Sequence, residues 1–183
     1  EHSNRGFKHP LTVKGREQAA ALAQRLANIP VARLFTSPIM RAVQTAKILS
    51  GTLGLPYEIT DALREYDCGI LEGRADEAAW QLHFAVFDAW VHQKDWERRI
   101  ESGESFIAIR NRFVPFIERL IAEYGESPAN IVLVGHGGLY RCMLPLVLAN
   151  ADSDFVLQQP MGNTACIVAE TRPEGLILIK WEG

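Results

Sequence analysis

The sequence has few cysteines, little net charge and no long apolar run, and each of these absences argues against a class of protein. Its three cysteines, Cys68, Cys142 and Cys166, are odd in number and lack zinc-ligand spacing, so neither a disulfide framework nor a metal site is expected. No apolar run approaches the roughly 18–20 residues that cross a bilayer, so no membrane partner is expected. The cytoplasm is therefore the default expectation for its location.

Charge and length set two further bounds. The 183 residues carry 19 Lys and Arg against 22 Asp and Glu, a formal net charge of −3. The basic residues are scattered, which argues against a nucleic-acid partner. Hydrophobic residues make up 48% and charged residues 22%, ordinary values for a globular protein. One domain over residues 1–183 is expected, with a small helical lid inserted at about residues 74–103.

The motifs of three common enzyme and binding classes are missing. No glycine-rich segment ends in Gly-Lys-Ser or Gly-Lys-Thr, as a P-loop requires, and no Gly-x-Ser-x-Gly elbow of a serine hydrolase occurs. A nucleotide-binding Rossmann protein is disfavoured as well, because no Gly-x-Gly-x-x-Gly segment follows a strand pattern.

Hydrophobic periodicity predicts an α/β fold. Helical spacing of apolar residues occurs over residues 13–27, with Thr12 as the N-cap, and over residues 106–124. Short apolar runs predict strands at residues 31–36, 55–59 and 130–134, with a C-terminal hairpin turning at residues 172–175. Ser37 and Pro38 are predicted to be the N-cap and first residue of the helix between the first two strands. Strands alternating with helices predict a three-layer α/β/α architecture with a mainly parallel sheet.

The segment over residues 76–100 is amphipathic and aromatic and is predicted to be helical. Its aromatic residues favour either a substrate with a ring or ordinary packing of the lid on the body: Trp80, Phe84, Phe87 and Trp90. His83 and His92 lack the helical spacing of a metal-ligand pair and are predicted to lie on the lid surface.

Three polar side chains follow predicted strands and are therefore expected at one edge of the sheet. His136 sits in Gly135-His136-Gly137-Gly138 between a strand and a helix, where backbone amides favour an anion and a protonated imidazole would add to the attraction. Arg41 lies near a positive helix start, which is unfavourable unless an anion offsets it. Glu65 supplies a carboxylate.

Each of these residues also has a plain structural explanation. His136 is alternatively a turn histidine between sterically required glycines. Arg41 is alternatively a solvated helix residue, and Glu65 the partner of Arg64 in a loop ion pair of little energetic value.

The ordered set of motifs resembles the histidine phosphatase superfamily (phosphoglycerate-mutase-like). The matching segments extend from about residue 10 to residue 140: Pro10-Leu11-Thr12, Gly15-Arg16-Glu17-Gln18-Ala19, Ser37 to Ala46, Leu63-Arg64-Glu65, Leu71-Glu72-Gly73, Gly103-Glu104-Ser105 and Val134 to Gly138. The resemblance implies a phosphatase that forms a phosphohistidine, with Glu65 as the general acid and Arg41 and His136 binding the phosphoryl group. It also implies that Asn4 and Gly137 bind the substrate, a small phosphorylated metabolite, and that no metal or cofactor is required.

The resemblance has one departure, because the family's nucleophilic histidine belongs to an Arg-His-Gly segment that the 183 residues do not contain. Two explanations are open: a strand ending in Arg-His-Gly precedes Glu1 in the intact protein, or the chain is a shortened, inactive member. We expect the first. Three functions follow from the resemblance: a phosphomonoester hydrolase, a mutase-type phosphotransferase, or a non-catalytic binder of phosphorylated ligands. The hydrolase is favoured, as a monomer or homodimer.

Overall fold

The computed structural model describes residues 2–4 and 9–183, so the predicted loop over residues 1–12 lies partly outside the described residues. The elements follow in chain order: α1 (Val13–Leu26), β1 (Val31–Thr36), α2 (Met40–Leu53), β2 (Glu58–Ile59), α3 (Glu77–Val91), α4 (Phe106–Tyr124), β3 (Asn130–Val134), α5 (Gly137–Val147), α6 (Ser153–Gln158), β4 (Cys166–Arg172) and β5 (Gly175–Glu182). None of the helices in the described ranges is long and apolar enough to cross a membrane.

The central sheet is parallel, in the order β2-β1-β3. Thr36 at the end of β1 pairs with Ile59 of β2 on one side and with Val134 of β3 on the other. The strands β4 and β5 form a separate antiparallel hairpin, as predicted from the sequence. The ends of β1 and β3 therefore lie side by side, at the edge where polar residues follow both strands.

Helices cover both faces of this sheet. Leu34 of β1 belongs to a buried cluster with residues of α1 and α2, including Leu22 and Leu49. The next residue, Phe35, points to the opposite face, where its ring lies 5.4 Å from that of Phe116 in α4. This alternation along a strand places one core on each face. The predicted three-layer α/β/α architecture is confirmed.

Two boundaries near the site differ from the sequence prediction. Ser37 is not the N-cap of α2: the cap is Ile39, and the helix begins at Met40 rather than at Pro38. The Ser37 hydroxyl accepts the Ile39 amide and bonds to His136, so tertiary contacts hold this segment in a turn before the helix starts. The predicted strand over residues 55–59 is reduced to Glu58–Ile59.

The lid helix is shorter than predicted. α3 ends at Val91, and the chain then turns back through Lys94, whose φ of 59° lies in the left-handed region. The indole of Trp90 is buried and donates to the carbonyl of Arg98 at 2.6 Å, which ties the returning segment to α3. Phe84 is 61% exposed, so the four lid aromatics do not share one buried face.

Candidate functional site

The site is built where β1 and β3 end. The backbone amide of Ser37 donates to the carbonyl of Val134 at 2.9 Å, which continues the parallel pairing one residue past β1. His136 caps α5 two residues after Val134, with an extended backbone and no bond from its side chain to the helix. The Ser37 Oγ and the His136 Nε2 lie 2.7 Å apart, and both residues are buried. His136 is therefore part of an ordered polar contact, in contrast to a turn histidine set only by the glycines around it.

Arg41 is the second residue of α2 and lies at the corner of the fold where β1 and β3 end, beside Ser37 and His136. Its Nη1 donates to the carbonyl of Ser3 at 2.7 Å. Burial lowers the pKa of Arg41, while the nearby carboxylates of Glu65 and Glu72 act in the opposite direction. A half-buried guanidinium near the positive end of a helix is not a freely solvated arginine, and an anion bound there would offset both costs.

Glu65 is a buried carboxyl held by backbone amides. Gly138 donates to Oε2 at 3.0 Å, and Tyr66 donates to Oε1 at 3.1 Å. Burial raises the pKa of Glu65 even though these amides favour its charged form. The loop ion pair with Arg64 is not formed: Arg64 bonds instead to Asp61 and Glu104.

Arg41 acts electrostatically on both other groups. Burial lowers the pKa of His136 to about 3, and the charges of Arg41 and Arg112 add to the effect. The same Arg41 charge partly opposes the rise in the Glu65 pKa. The imidazole is consequently neutral near pH 7 and adds no positive charge to the site at that pH. A neutral ring still donates one hydrogen bond.

The loop that carries Glu65 is clamped by Glu104 and Arg112, for which the sequence analysis proposed no role. The Arg112 guanidinium donates twice to the Glu104 carboxylate, at 3.0 and 3.2 Å, and once to each of the carbonyls of Asp61 and Ala62. Glu104 also accepts the backbone amide of Asp67 at 2.9 Å. Bidentate, charge-assisted bonds of this kind hold a loop firmly. The motif Gly103-Glu104-Ser105 was the one sequence signal of this clamp.

The two predicted substrate-binding residues lie close to this loop and to α5. The Asn4 side-chain amide donates to the Tyr66 carbonyl and the Cys68 sulfur, each at 3.0 Å. Gly137 is the first residue of α5, and a Cβ placed there would contact Met161 at 3.5 Å. The binding roles of both residues remain predictions.

Histidine side chains lie between the lid helix α3 and the loop that carries Glu65. His83 is not a surface residue as predicted: its Nε2 bonds to the Tyr66 hydroxyl at 3.1 Å, and burial lowers its pKa to about 4. His2, 4% exposed, packs on Trp80 with ring centroids 4.2 Å apart. His92 is exposed and pairs with Asp88, as expected of a surface histidine. The inner face of α3 is thereby packed against the loop that carries Glu65.

Gly138 allows Glu65 to reach α5. A Cβ at this position would lie 2.6 Å from the Tyr66 ring and 2.9 Å from both Glu65 oxygens. We expect Gly138→Ala to destabilise the protein by about 1–3 kcal/mol through overpacking and to displace Glu65. Urea unfolding measures the change in free energy.

Gly51→Ala is the matched control, because Gly51 is exposed in α2 and nothing lies within 4 Å of its added Cβ. That substitution should stabilise the protein by about 0.5–1 kcal/mol. Equal effects of the two substitutions would contradict the close packing at Gly138.

The chemistry of the corner suits an anion. It offers a guanidinium and a neutral imidazole, with a protonatable carboxyl beside them that already accepts the Gly138 amide at the start of α5. In the part of the chain that the structure describes, no group of three or more His, Cys, Asp or Glu side chains is arranged to hold a metal ion. The fold and the corner together define an α/β protein with a buried carboxyl beside a guanidinium and an imidazole.

Comparison with known proteins gives the family. The model of the histidine phosphatase superfamily (branch 1) matches residues 5–182. The chain belongs to this superfamily, and the resemblance drawn from its motifs is confirmed.

Two curated relatives show the range of the similarity. Human 6-phosphofructo-2-kinase/fructose-2,6-bisphosphatase 4 is 33% identical over 146 residues, which cover 77% of this chain but 28% of that enzyme, less than a third of its length. The glucosyl-3-phosphoglycerate phosphatase of Mycolicibacterium vanbaalenii is 29% identical over 172 residues, covering 88% of this chain and 74% of that protein. Both carry a phosphatase name.

A solved relative adds a view of the fold. A mycobacterial glucosyl-3-phosphoglycerate phosphatase, solved in complex with inorganic phosphate, superposes with a TM-score of 0.75 at 25% identity. The superposition covers 95% of this chain and 87% of that one.

Proposed function

We propose that the protein hydrolyses phosphomonoesters, with Glu65 as the general acid and Arg41 and His136 holding the phosphoryl group. The observation that carries the proposal is the position of Glu65. It is a buried carboxyl with a raised pKa, held by the Gly138 amide at the start of α5 and close enough to Arg41 for their charges to interact. A carboxyl whose burial favours the protonated form, beside a corner that suits an anion, fits the departure of an alcohol from a phosphoryl group.

The proposed reaction has two steps. A histidine nitrogen attacks phosphorus, a nitrogen–phosphorus bond forms, and the ester oxygen–phosphorus bond breaks as the Glu65 proton passes to the departing alkoxide. Water then attacks phosphorus, the nitrogen–phosphorus bond breaks to release the histidine, a water proton returns to Glu65, and phosphate leaves. Arg41 neutralises the charge on the phosphoryl oxygens in both steps, because phosphoryl transfer depends mainly on positioning and charge stabilisation.

We place the attacking histidine in an Arg-His-Gly segment ahead of Glu1, as the family resemblance implies. The edge of β3 supports this placement. Among the described residues, β3 pairs with β1 on one side and with no strand on the other. The apolar residues Ile131 to Val134 of β3 are half-buried rather than buried. A further parallel strand at that edge would satisfy the open backbone groups and end beside His136.

The proposed substrate is a small phosphorylated metabolite, and the proposed protein is a monomer or homodimer. A cytoplasmic location is part of the proposal, supported by three cysteines that are all free.

The test is release of p-nitrophenol from p-nitrophenyl phosphate at mildly acidic pH by protein that carries the residues preceding Glu1. Turnover is expected, along with a radiolabelled phosphoenzyme that is lost in acid and stable in base, as a phosphohistidine is. His136→Ala should lower turnover strongly, whereas His92→Ala, which changes a surface histidine, should not. Phosphate binding without turnover would favour the non-catalytic binder, and turnover without a phosphoenzyme would exclude the histidine intermediate.

A further inference from the structure

Ser37 and His136 are both buried, so the direction of the hydrogen bond between them can be inferred from their other partners. Ser37 is 0% exposed and His136 is 7% exposed, so water satisfies neither group in this contact. The Ser37 Oγ lies 2.7 Å from His136 Nε2. At this separation one of the two atoms must donate to the other.

The direction of the bond follows from the other partner of Ser37. Its Oγ accepts the backbone amide of Ile39 at 3.2 Å, which uses one acceptor site and leaves the hydroxyl proton to be placed. Within residues 2–4 and 9–183, His136 Nε2 is the one acceptor that bonds to this hydroxyl. Donation from Ser37 to Nε2 satisfies all three groups, whereas the reverse direction leaves a buried hydroxyl proton with no acceptor among the described residues, which is unfavourable.

We propose that Ser37 is a positioning residue that fixes His136 as the tautomer protonated on Nδ1. Since a neutral imidazole has one proton, a hydroxyl donating to Nε2 places that proton on Nδ1. The Nδ1–H then becomes the hydrogen-bond donor that His136 offers to a phosphoryl oxygen held by Arg41. The inference rests on the proposed function for the use of this donor, while the tautomer itself is a property of the 183-residue chain.

The low pKa of His136 supports this arrangement. Burial lowers it to about 3, so the ring carries a single proton across the pH range in which the protein would act. A doubly protonated ring would carry a proton on each nitrogen, so it would have no tautomers for Ser37 to select between.

The experiment is NMR of the chain with isotope-labelled histidine nitrogens at pH 7. Protonated and unprotonated ring nitrogens have different chemical shifts, so the spectrum reports the tautomer directly. We expect His136 to be protonated on Nδ1, and added inorganic phosphate to shift that nitrogen more than Nε2. A wild-type spectrum with the proton on Nε2 would overturn the proposal without any variant being made.

Ser37→Ala tests the cause. Without the Ser37 hydroxyl, the His136 ring should shift toward the Nε2-protonated tautomer, which histidine prefers in water. Phosphate affinity should fall about tenfold, as expected for the loss of a hydrogen bond to a charged group. Ser50→Ala is the matched control, because Ser50 lies near the far end of α2, the helix that follows Ser37, and its hydroxyl donates to the Leu55 carbonyl at 2.7 Å. The control should leave the His136 tautomer and phosphate affinity unchanged.

Two results separate this inference from the proposed function. If Ser37→Ala leaves the Nδ1 tautomer in place, Ser37 does not position His136, whatever the protein catalyses. If the Nδ1 tautomer and its dependence on Ser37 are seen but phosphate does not bind, the phosphoryl-binding role of His136 fails while the positioning by Ser37 stands.

Discussion

Glu65→Gln is expected to lower kcat for an alkyl phosphate by about 10²–10⁴-fold. The substitution keeps the size of a side chain that the Gly138 and Tyr66 amides hold but removes its transferable proton. With p-nitrophenyl phosphate the fall should be much smaller, because a nitrophenolate leaves without protonation. Steady-state kinetics with both substrates, on protein that carries the residues preceding Glu1, measure this difference. Glu118→Gln, a change on the exposed side of α4, is the control.

The pH dependence follows from the raised pKa of Glu65. The acid must be protonated to act, so kcat for the alkyl phosphate should fall as pH rises through that raised pKa, and Glu65→Gln should abolish this limb of the profile. An equal loss with both substrates, with the limb retained, would make Glu65 a structural residue rather than the acid.

The same shift has a consequence for stability, which can be measured on the 183-residue chain. The pKa of Glu65 is higher folded than unfolded, so the folded state binds more protons between the two values and wild-type stability falls as pH rises through that range. Glutamine does not titrate. The unfolding free energy of Glu65→Gln minus that of wild type should therefore be larger at pH 7 than at pH 4.5.

Arg41→Ala is expected to reduce kcat/KM by about 10³-fold, the scale of losing a cation that stabilises phosphoryl transfer. Inorganic phosphate binding, measured by calorimetry on the same variant, should fall below detection. Arg41→Lys keeps the charge but loses the planar fork that fits a phosphate, so its activity should lie between that of the alanine variant and wild type.

Arg110→Ala is the matched control for Arg41, since Arg110 is an exposed arginine on α4. Removal of the Arg41 charge should also raise the pKa of His136, which NMR titration of the ring reports. Phosphate affinity within twofold of wild type in Arg41→Ala would contradict the role of Arg41 in holding the phosphoryl group.

Much of the fold could be predicted because its elements follow from local patterns. Helices α1 and α4 and strands β1 and β3 have the predicted positions, since apolar periodicity and caps such as Thr12 are properties of neighbouring residues. The errors occurred where distant contacts override local preference. Ser37 is a good capping residue by type, yet its hydroxyl is engaged by His136, 99 positions away.

The candidate site was likewise predictable only in part. Arg41, Glu65 and His136 could be singled out because each follows a strand, and parallel strands end at one edge of a sheet. Their surroundings could not be predicted. Arg112 and Glu104 look like ordinary charged residues in the sequence. Their importance lies in the loop carbonyls and the Asp67 amide that they bind.

The sequence by itself determined the α/β class, the family and the three polar residues at the ends of strands, because these depend on residue types and short spacings. The tertiary structure decided how the pKa values of these groups are shifted. Glu65 meets the Gly138 amide across 73 positions of chain, and burial there raises its pKa. Burial also lowers the pKa of His136, whose ring contacts Ser37 across 99 positions of chain. Desolvation depends on what packs around a group, and no local pattern encodes it.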